Sequence, residues 1–329
     1  MERKHLPSKY LVNANEFEFI KDIGKGAYGS VKLVKEKKTG KLYAKKVVFF
    51  LDGDEMGAPL YFFREFLSLF DSQYPGLPFL YLRGFNFPTK DDEAFIITEY
   101  LDGGSLEDLI NSNYEGCEDV VTTKMKIIFG IAFALKFLHL KDIIHRDLKP
   151  ANILLDSKRE PYLADFGFAR EISKGEQITA GLGTPEYMAP EILDQEYADP
   201  DKSIDIYSFA VLTLEIITGS LKINGKNAHV ILNDHVKEGK RYDVPNSVPD
   251  CFKKLINDCW SGNPSQRWPA DDIVDDLYRC KIILPGTNLE VYNEYTNRLT
   301  SILEQALEEN DEVEVEDLDQ EPTPEYDFS

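Results

Sequence analysis

Three groups of residues in this sequence could do chemistry. The first is the run Gly24-Lys25-Gly26-Ala27-Tyr28-Gly29-Ser30-Val31. Glycines permit a tight turn and let backbone N–H groups come close to phosphate oxygens. Alone the pattern is weak, because glycine-rich hairpins usually do no more than turn a chain. It also lies between two strand-like segments rather than opening a helix, which argues against a dinucleotide-binding turn. The second group is Tyr43-Ala44-Lys45-Lys46. Side chains alternate along a strand, so only one of Lys45 and Lys46 can point under the glycine run. Glu65, on a helical stretch further on, could aim its carboxylate at Lys46 and hold the ammonium against phosphates. Taken singly, either lysine reads more simply as solvated. The third group is His145-Arg146-Asp147-Leu148-Lys149-Pro150-Ala151-Asn152, followed by Asp165-Phe166-Gly167.

Such groups need elements to place them. From about Phe17 to Tyr100 the chain reads as short strands broken by turns: Phe17–Ile20 alternates, Ser30–Val34 follows the glycines, and Thr39-Gly40 turns the chain into Leu42–Val48. Leu60, Phe63, Leu67 and Phe70 recur at helical spacing, and Phe95–Tyr100 is a further strand. Leu101-Asp102-Gly103-Gly104 is a joint, after which helices dominate: Thr123–Leu140, Asp205–Thr218, Asp250–Trp260 and Ala270–Leu277. Tyr292, Tyr295, Leu299, Ile302 and Ala306 mark one face of an additional helix. The chain therefore divides into an arm (1–15), a main domain (16–284, with parts 16–101 and 102–284), an amphipathic helix (285–310) and an acidic tail (311–329). The tail has little to bury and is not expected to fold.

With the glycine run, Lys46, Glu65, His145-Arg146-Asp147, Asp165-Phe166-Gly167 and Ala189-Pro190-Glu191 in this order, the chain resembles the eukaryotic protein kinase family over about Phe17 to Leu284. The resemblance implies an α+β fold of two lobes, a small antiparallel sheet of five strands with one main helix and a larger helical part. It implies transfer of the γ-phosphate of ATP to protein hydroxyls, with Mg²⁺ or Mn²⁺. Asp147 would take the hydroxyl proton, Lys149 would offset charge on the transferring phosphate, and Asn152 and Asp165 would hold the metal. ATP would meet Ile23, Gly24, Lys25, Gly26, Ala27, Tyr28, Gly29, Val31, Ala44, Lys46, Glu65, Leu154 and Asp165. Thr98 falls at the gatekeeper position, and Glu99, Tyr100 and Leu101 form the hinge. His145 and Phe166 read as packing residues.

Lys149 within Asp-Leu-Lys-Pro-Ala-Asn resembles the serine/threonine type. Thr184 is expected near Asp147 and Lys149, and Glu191 and Arg267 to pair beneath the substrate platform. Asp205–Phe209 and Asp258-Cys259-Trp260 resemble the tyrosine-kinase-like group, although Ala210 replaces a common glycine and Trp268 a common proline. Thr179 is the activating phosphorylation candidate, the alternatives being Ser173 or no activating phosphorylation. Two other classes share some of these residues. A pseudokinase scaffold would lack part of the Lys46, Asp147, Asn152 and Asp165 set. A small-molecule phosphotransferase would lack the Gly183–Glu191 segment.

Composition bounds the partners. The chain of 329 residues has 43% hydrophobic and 29% charged residues, which excludes disorder throughout. Lys+Arg number 37 against 58 Asp+Glu, a net charge of -21. Surplus acid repels phosphate backbones and anionic lipid, so nucleic acid and membrane surfaces are not expected partners, whereas the family resemblance implies protein substrates. Twelve of the acids, and no base, lie in Glu304–Ser329, so the remainder is near -9. The tail around Thr323-Pro324 and Tyr326 could serve docking. The first residues have no apolar stretch behind them, and Ile127–Leu140 is too short to span a bilayer. Four scattered cysteines lack metal spacing, which suits a reduced, cytoplasmic or nuclear chain.

Overall fold

The computed structural model describes residues 8–26, 29–49, 57–86, 93–171, 184–193, 201–221, 230, 234 and 239–313. The chain forms two units. One comprises residues 1–49, 82–100 and 300–329, the other residues 50–81 and 101–299.

In the first unit β1 (Phe17–Gly26), β2 (Gly29–Glu36), β3 (Leu42–Val48), β4 (Leu82–Asn86) and β5 (Ala94–Glu99) form one antiparallel sheet in the order β1-β2-β3-β5-β4. Val12, Phe17, Val34, Tyr43, Val47, Phe95 and Ile97 make the core of one of its faces. Of the apolar residues at the start of β1 only Phe17 is buried. Phe19 and Ile20 are exposed, and the register shifts between Phe19 and Lys21. Glu36, at the end of β2, is buried and ties the β2–β3 turn to the far strand: it accepts from Thr39 Oγ1, and from Arg83 Nε at 3.1 Å. The Thr39 hydrogen bond, aided by Arg83 and opposed by burial, holds the Glu36 carboxyl below its ordinary pKa.

The second unit is mainly helical: α1 (Gly57–Asp71), α2 (Leu106–Asn111), α3 (Val120–Leu140), α4 (Pro190–Leu193), α5 (Ser203–Thr218), α6 (Asp250–Cys259), α7 (Ala270–Tyr278) and the first part of α8 (Leu289–Val313). Two short antiparallel strand pairs complete it, β6 (Ile143–Ile144) with β9 (Arg170–Glu171), and the hairpin of β7 (Ile153–Leu155) with β8 (Pro161–Leu163). α3 is apolar nearly all round and buried nearly all round, as is α5, so both are interior helices. No helix among the described residues is long and apolar enough to cross a membrane. Two of the starts are capped by side chains: Ser105 Oγ accepts from Asp108 N at 3.1 Å before α2, and Asp119 accepts from Thr122 N at 2.9 Å before α3.

α1 groups with the helical unit, packing on the turn Phe166–Phe168. Its deepest side chains are Phe62, Glu65, Phe66 and Leu69, while Phe63, Leu67 and Phe70 are half-buried, because this helix is apolar on two stripes. α8 starts at Leu289 rather than 285: Pro285 precedes it, and Asn288 Oδ1 caps it by accepting from Glu290 N at 3.1 Å. It runs on to Val313, three residues into the segment read as tail. On α8 Leu303 is buried and Ile302 half-buried, the drift that 3.6 residues per turn imposes. The expected α+β class, a small antiparallel sheet preceding a larger helical part, is the one observed.

Candidate active site

The segment between β6 and the single turn Pro150–Asn152 has no sheet or helix to fix its shape, and Arg146 takes a left-handed φ of 72°. Its shape is imposed by Asp205, near the start of α5. That carboxylate is fully buried and accepts from His145 N at 2.8 Å and Arg146 N at 2.9 Å, and it pairs with His139 Nε2 of α3 at 3.1 Å. Burial pushes its pKa up, but the His139 hydrogen bond and the Arg146 N–H outweigh it and hold the carboxyl below its ordinary value. The sequence pointed to Asp205 only as a group marker. His139 was not singled out at all, since nothing local says that either reaches this loop.

The fixed loop converges on Asp147, which is buried. Lys149 Nζ lies 2.7 Å from its Oδ2, Asn152 Nδ2 donates to that atom at 2.9 Å, and Thr184 Oγ1 donates to Oδ1 at 3.2 Å. Lys149 also donates to Thr184 Oγ1 at 2.9 Å, closing a ring of three side chains. His145 is fully buried beside it. Its Nδ1 accepts from Asp147 N and its Nε2 donates to Ala164 O at 3.0 Å, which defines one neutral tautomer. Its ring stands edge-on to Phe166 at 5.1 Å. Both ring nitrogens are therefore committed to packing and backbone.

Asn152 and Asp165 flank the β7–β8 hairpin, and Ala164 N donates to Asn152 O at 2.9 Å across its base. Asn152 Nδ2 gives its protons to Asp147 O, at 2.7 Å, and to Asp147 Oδ2. Its Oδ1 is thereby the atom turned to other ligands. Asp165 sits in the left-handed region at φ 61°. Two hard oxygen donors suit Mg²⁺, which prefers few protein ligands together with phosphate oxygens and water. Among the described residues no cluster of three or more His, Cys, Asp or Glu could hold a metal unaided.

Below the loop, Arg267 NH1 and NH2 grip Glu191 Oε1 and Oε2 at 2.5 and 2.8 Å. The buried guanidinium also donates to Ser203 O and Ser261 O, both at 3.0 Å, and lies over the Tyr207 ring at 5.2 Å. Tyr187 OH donates to Glu215 at 2.6 Å, and burial raises the pKa of both groups. Residues 184–191 are thus held from beneath by α5 and the segment after α6.

In the sheet unit the register sets Val31 opposite Lys46 and Ala44 opposite Thr98, so all four share one face. Lys45 is on the other face, its ammonium 4.0 Å from the Phe95 ring centre. Lys46, and not Lys45, is thus the lysine on the face of Val31, Ala44 and Thr98. Glu99 ends β5, and Tyr100 and Leu101 follow it, half-buried. Leu154 lies on β7, where Leu155 N donates to Gly104 O at 2.8 Å. Glu65 is buried on α1. Ile23, Gly24 and Lys25 are exposed on β1, with Gly26 at its end. A Cβ on Gly29 would lie 2.0 Å from Val47 O, whereas one on Gly24 would meet Val31 at 3.6 Å. Gly29 is therefore required by the approach of β2 to β3. Ala27, Tyr28, Ser173 and Thr179 lie outside the described residues, as do Gly183 and Glu314–Ser329.

Comparison with known proteins agrees with this geometry. Residues 17–279 match the model of the protein kinase domain. The chain is 30% identical over 272 residues to a serine/threonine-protein kinase/receptor of Acanthamoeba polyphaga mimivirus, covering 82% of this chain and 16% of that protein. It is 32% identical to the RAC serine/threonine-protein kinase of Drosophila melanogaster and 30% identical to the human RAC-beta serine/threonine-protein kinase. Both alignments cover 78% of this chain, and 40% and 51% of those proteins. The chain thus spans about half or less of the curated relatives it matches. The polar ring around Asp147, the buried anchor at Asp205 and the Glu191–Arg267 pair lie within the matched residues, and the chain belongs to the protein kinase family.

Proposed function

We propose that this chain is a serine/threonine protein kinase that moves the γ-phosphate of ATP to hydroxyls of protein substrates. The observation that carries the reading is the ring Asp147–Lys149–Thr184, with Asn152 fixing the aspartate. Phosphoryl transfer asks a protein for position and charge neutralisation more than for covalent chemistry. Asp147 accepts the hydroxyl proton as the substrate oxygen bonds to phosphorus and the bond from phosphorus to the β-phosphate oxygen breaks. Lys149 faces the charge that spreads over the transferred group, and Thr184 keeps aspartate and lysine in register. Magnesium, when bound by Asn152 Oδ1 and Asp165 together with the phosphates, supplies neutralisation of the triphosphate. On the sheet, Val31, Ala44 and Thr98 share a face that would receive adenine, with Lys46 on that face for the phosphates.

Lys149 and Thr184 support the choice of serine and threonine over tyrosine, as does the similarity to serine/threonine-protein kinases. The reading extends to the tyrosine-kinase-like group. It rests there on Asp205–Phe209 and Asp258-Cys259-Trp260, with Trp268 accommodated by its hydrogen bond to Asp258 at 3.1 Å.

The test is Asp147→Asn assayed with labelled ATP and generic protein substrates. Transfer should fall roughly a thousandfold, with nucleotide affinity and melting temperature near wild type. Turnover retained in that variant would remove Asp147 from the role of base.

A further inference from the structure

The family match ends at residue 279, ten residues before α8 begins. Yet the first part of α8 is built into the helical unit. Tyr292, Tyr295, Thr296 and Leu299 are buried. Tyr292 OH donates to Leu277 O at 3.1 Å, and Asn288 N donates to Thr122 Oγ1 at 2.8 Å. The rings of Tyr292 and Tyr295 stand edge-on to Phe129 of α3 at 6.0 and 6.2 Å.

One position on α3 shows what this packing is arranged around. A Cβ on Gly130 would fall 2.4 Å from Tyr295 Oη and 2.5 Å from Pro161 Cγ. α3 gives up a side chain there, and α8 and the β7–β8 hairpin both close onto its backbone. Charges then join the same three elements. Arg298 NH2 donates to Glu160 Oε2 at 2.5 Å, Lys126 Nζ lies 3.5 Å from Glu160 Oε1, and Lys126 also donates to Lys158 O at 3.2 Å. The ammonium and the guanidinium each lie 5.4 Å from the Tyr295 ring centre. Glu160 begins the run into β8, and β8 leads through Ala164 to Asp165. The other strand, β7, starts beside Asn152.

We propose that Arg298 and Glu160 are positioning residues for magnesium and nucleotide: α8 braces the turn end of the hairpin whose opposite end carries Asn152 and Asp165. The inference rests on the kinase reading above, which gives those two residues the metal. A partly buried carboxylate with two cations adds little net stability compared with apolar packing, but it selects one arrangement of the elements it joins. The two strands are only three residues each, so a displacement at Glu160 reaches Asp165 within about five residues of extended chain, roughly 16 Å.

The test compares the full chain with Arg298→Ala, Glu160→Gln and Arg298→Lys. A fluorescent ADP is bound with and without magnesium, and thermal unfolding is followed in parallel. The Arg298 side chain is 44% exposed, so its removal does not threaten folding. Wild type should bind the nucleotide more tightly with magnesium. That gain should drop about fivefold or more in Arg298→Ala and Glu160→Gln and return to within twofold in Arg298→Lys. A gain unchanged in both variants, whatever their melting temperatures, would reduce the contact to simple packing and overturn the inference. Wild type showing no gain from magnesium would instead overturn the kinase reading, and this inference with it.

Discussion

Glu36 in the sheet and Asp205 in the helical unit are both buried carboxylates held below their ordinary pKa, yet they do different work. Among the described residues the Glu36 carboxylate accepts from side chains, Thr39 three residues on and Arg83 across the sheet. The strands it joins are already specified by alternation and register. Asp205 accepts from two backbone N–H groups of a loop some sixty residues earlier, and that loop has no register of its own. The first carboxylate reinforces a structure; the second dictates one. The difference teaches where chemistry can be placed: side chains on strands inherit position from the sheet, while those on the loop depend on acceptors and donors brought from elsewhere in the chain, Asp205 first among them.

Removing the two carboxylates should separate these roles most strongly. Asp205→Ala leaves two buried N–H groups and His139 without their acceptor, so it should cost about 3–5 kcal/mol and abolish measurable transfer. Glu36→Ala should cost about 1–2 kcal/mol and leave kcat within a few-fold of wild type. Denaturant unfolding and a kinase assay on both variants decide; equal losses of activity would erase the distinction.

Acid should sharpen the comparison at smaller amplitude. A carboxylate whose pKa is lowered by folding contributes stability that is complete above its unfolded value, 3.8 for Asp205 and 4.5 for Glu36. That contribution is lost as the pH falls through the lower folded value. Unfolding free energy should thus be level from pH 7 to about 5 and decline below. The acid-side decline should be shallower in Asp205→Asn and in Glu36→Gln. A variant as steep as wild type between pH 5 and 3 would show that its carboxylate is not linked to folding. The smallest effect belongs to Thr39→Ala, which takes one donor from Glu36 while Arg83 stays: a loss of about 1 kcal/mol, unchanged activity, and a Glu36 titration, followed by NMR, moved upward.

Much of this was legible beforehand, for reasons the elements make plain. α3, α5, α6 and α7 lie within a few residues of the segments that periodicity marked, because long apolar repeats have few other solutions. β4, Leu-Arg-Gly-Phe-Asn, went unrecognised from its residues: it has an interior glycine, and its register slips between Leu82 and Gly84. Alternation left Lys45 and Lys46 open, and the pairing of β2, β3 and β5 separates them. The catalytic motifs stood in the sequence, but their support did not. The reach of Asp205, the junction at Gly130 and the triad on Glu160 join residues far apart along the chain, and no local spacing encodes such meetings.

Gly29 carries a practical consequence for mutagenesis. Glycines in such a run are obvious targets for testing nucleotide contact, yet a methyl group at Gly29 collides with the carbonyl of Val47. An alanine there would force β2 away from β3, and lost affinity would be a symptom of a spread sheet. The position is a false reporter. Gly24, where a methyl meets Val31 at an ordinary 3.6 Å, is the site at which a change in binding can be taken at face value.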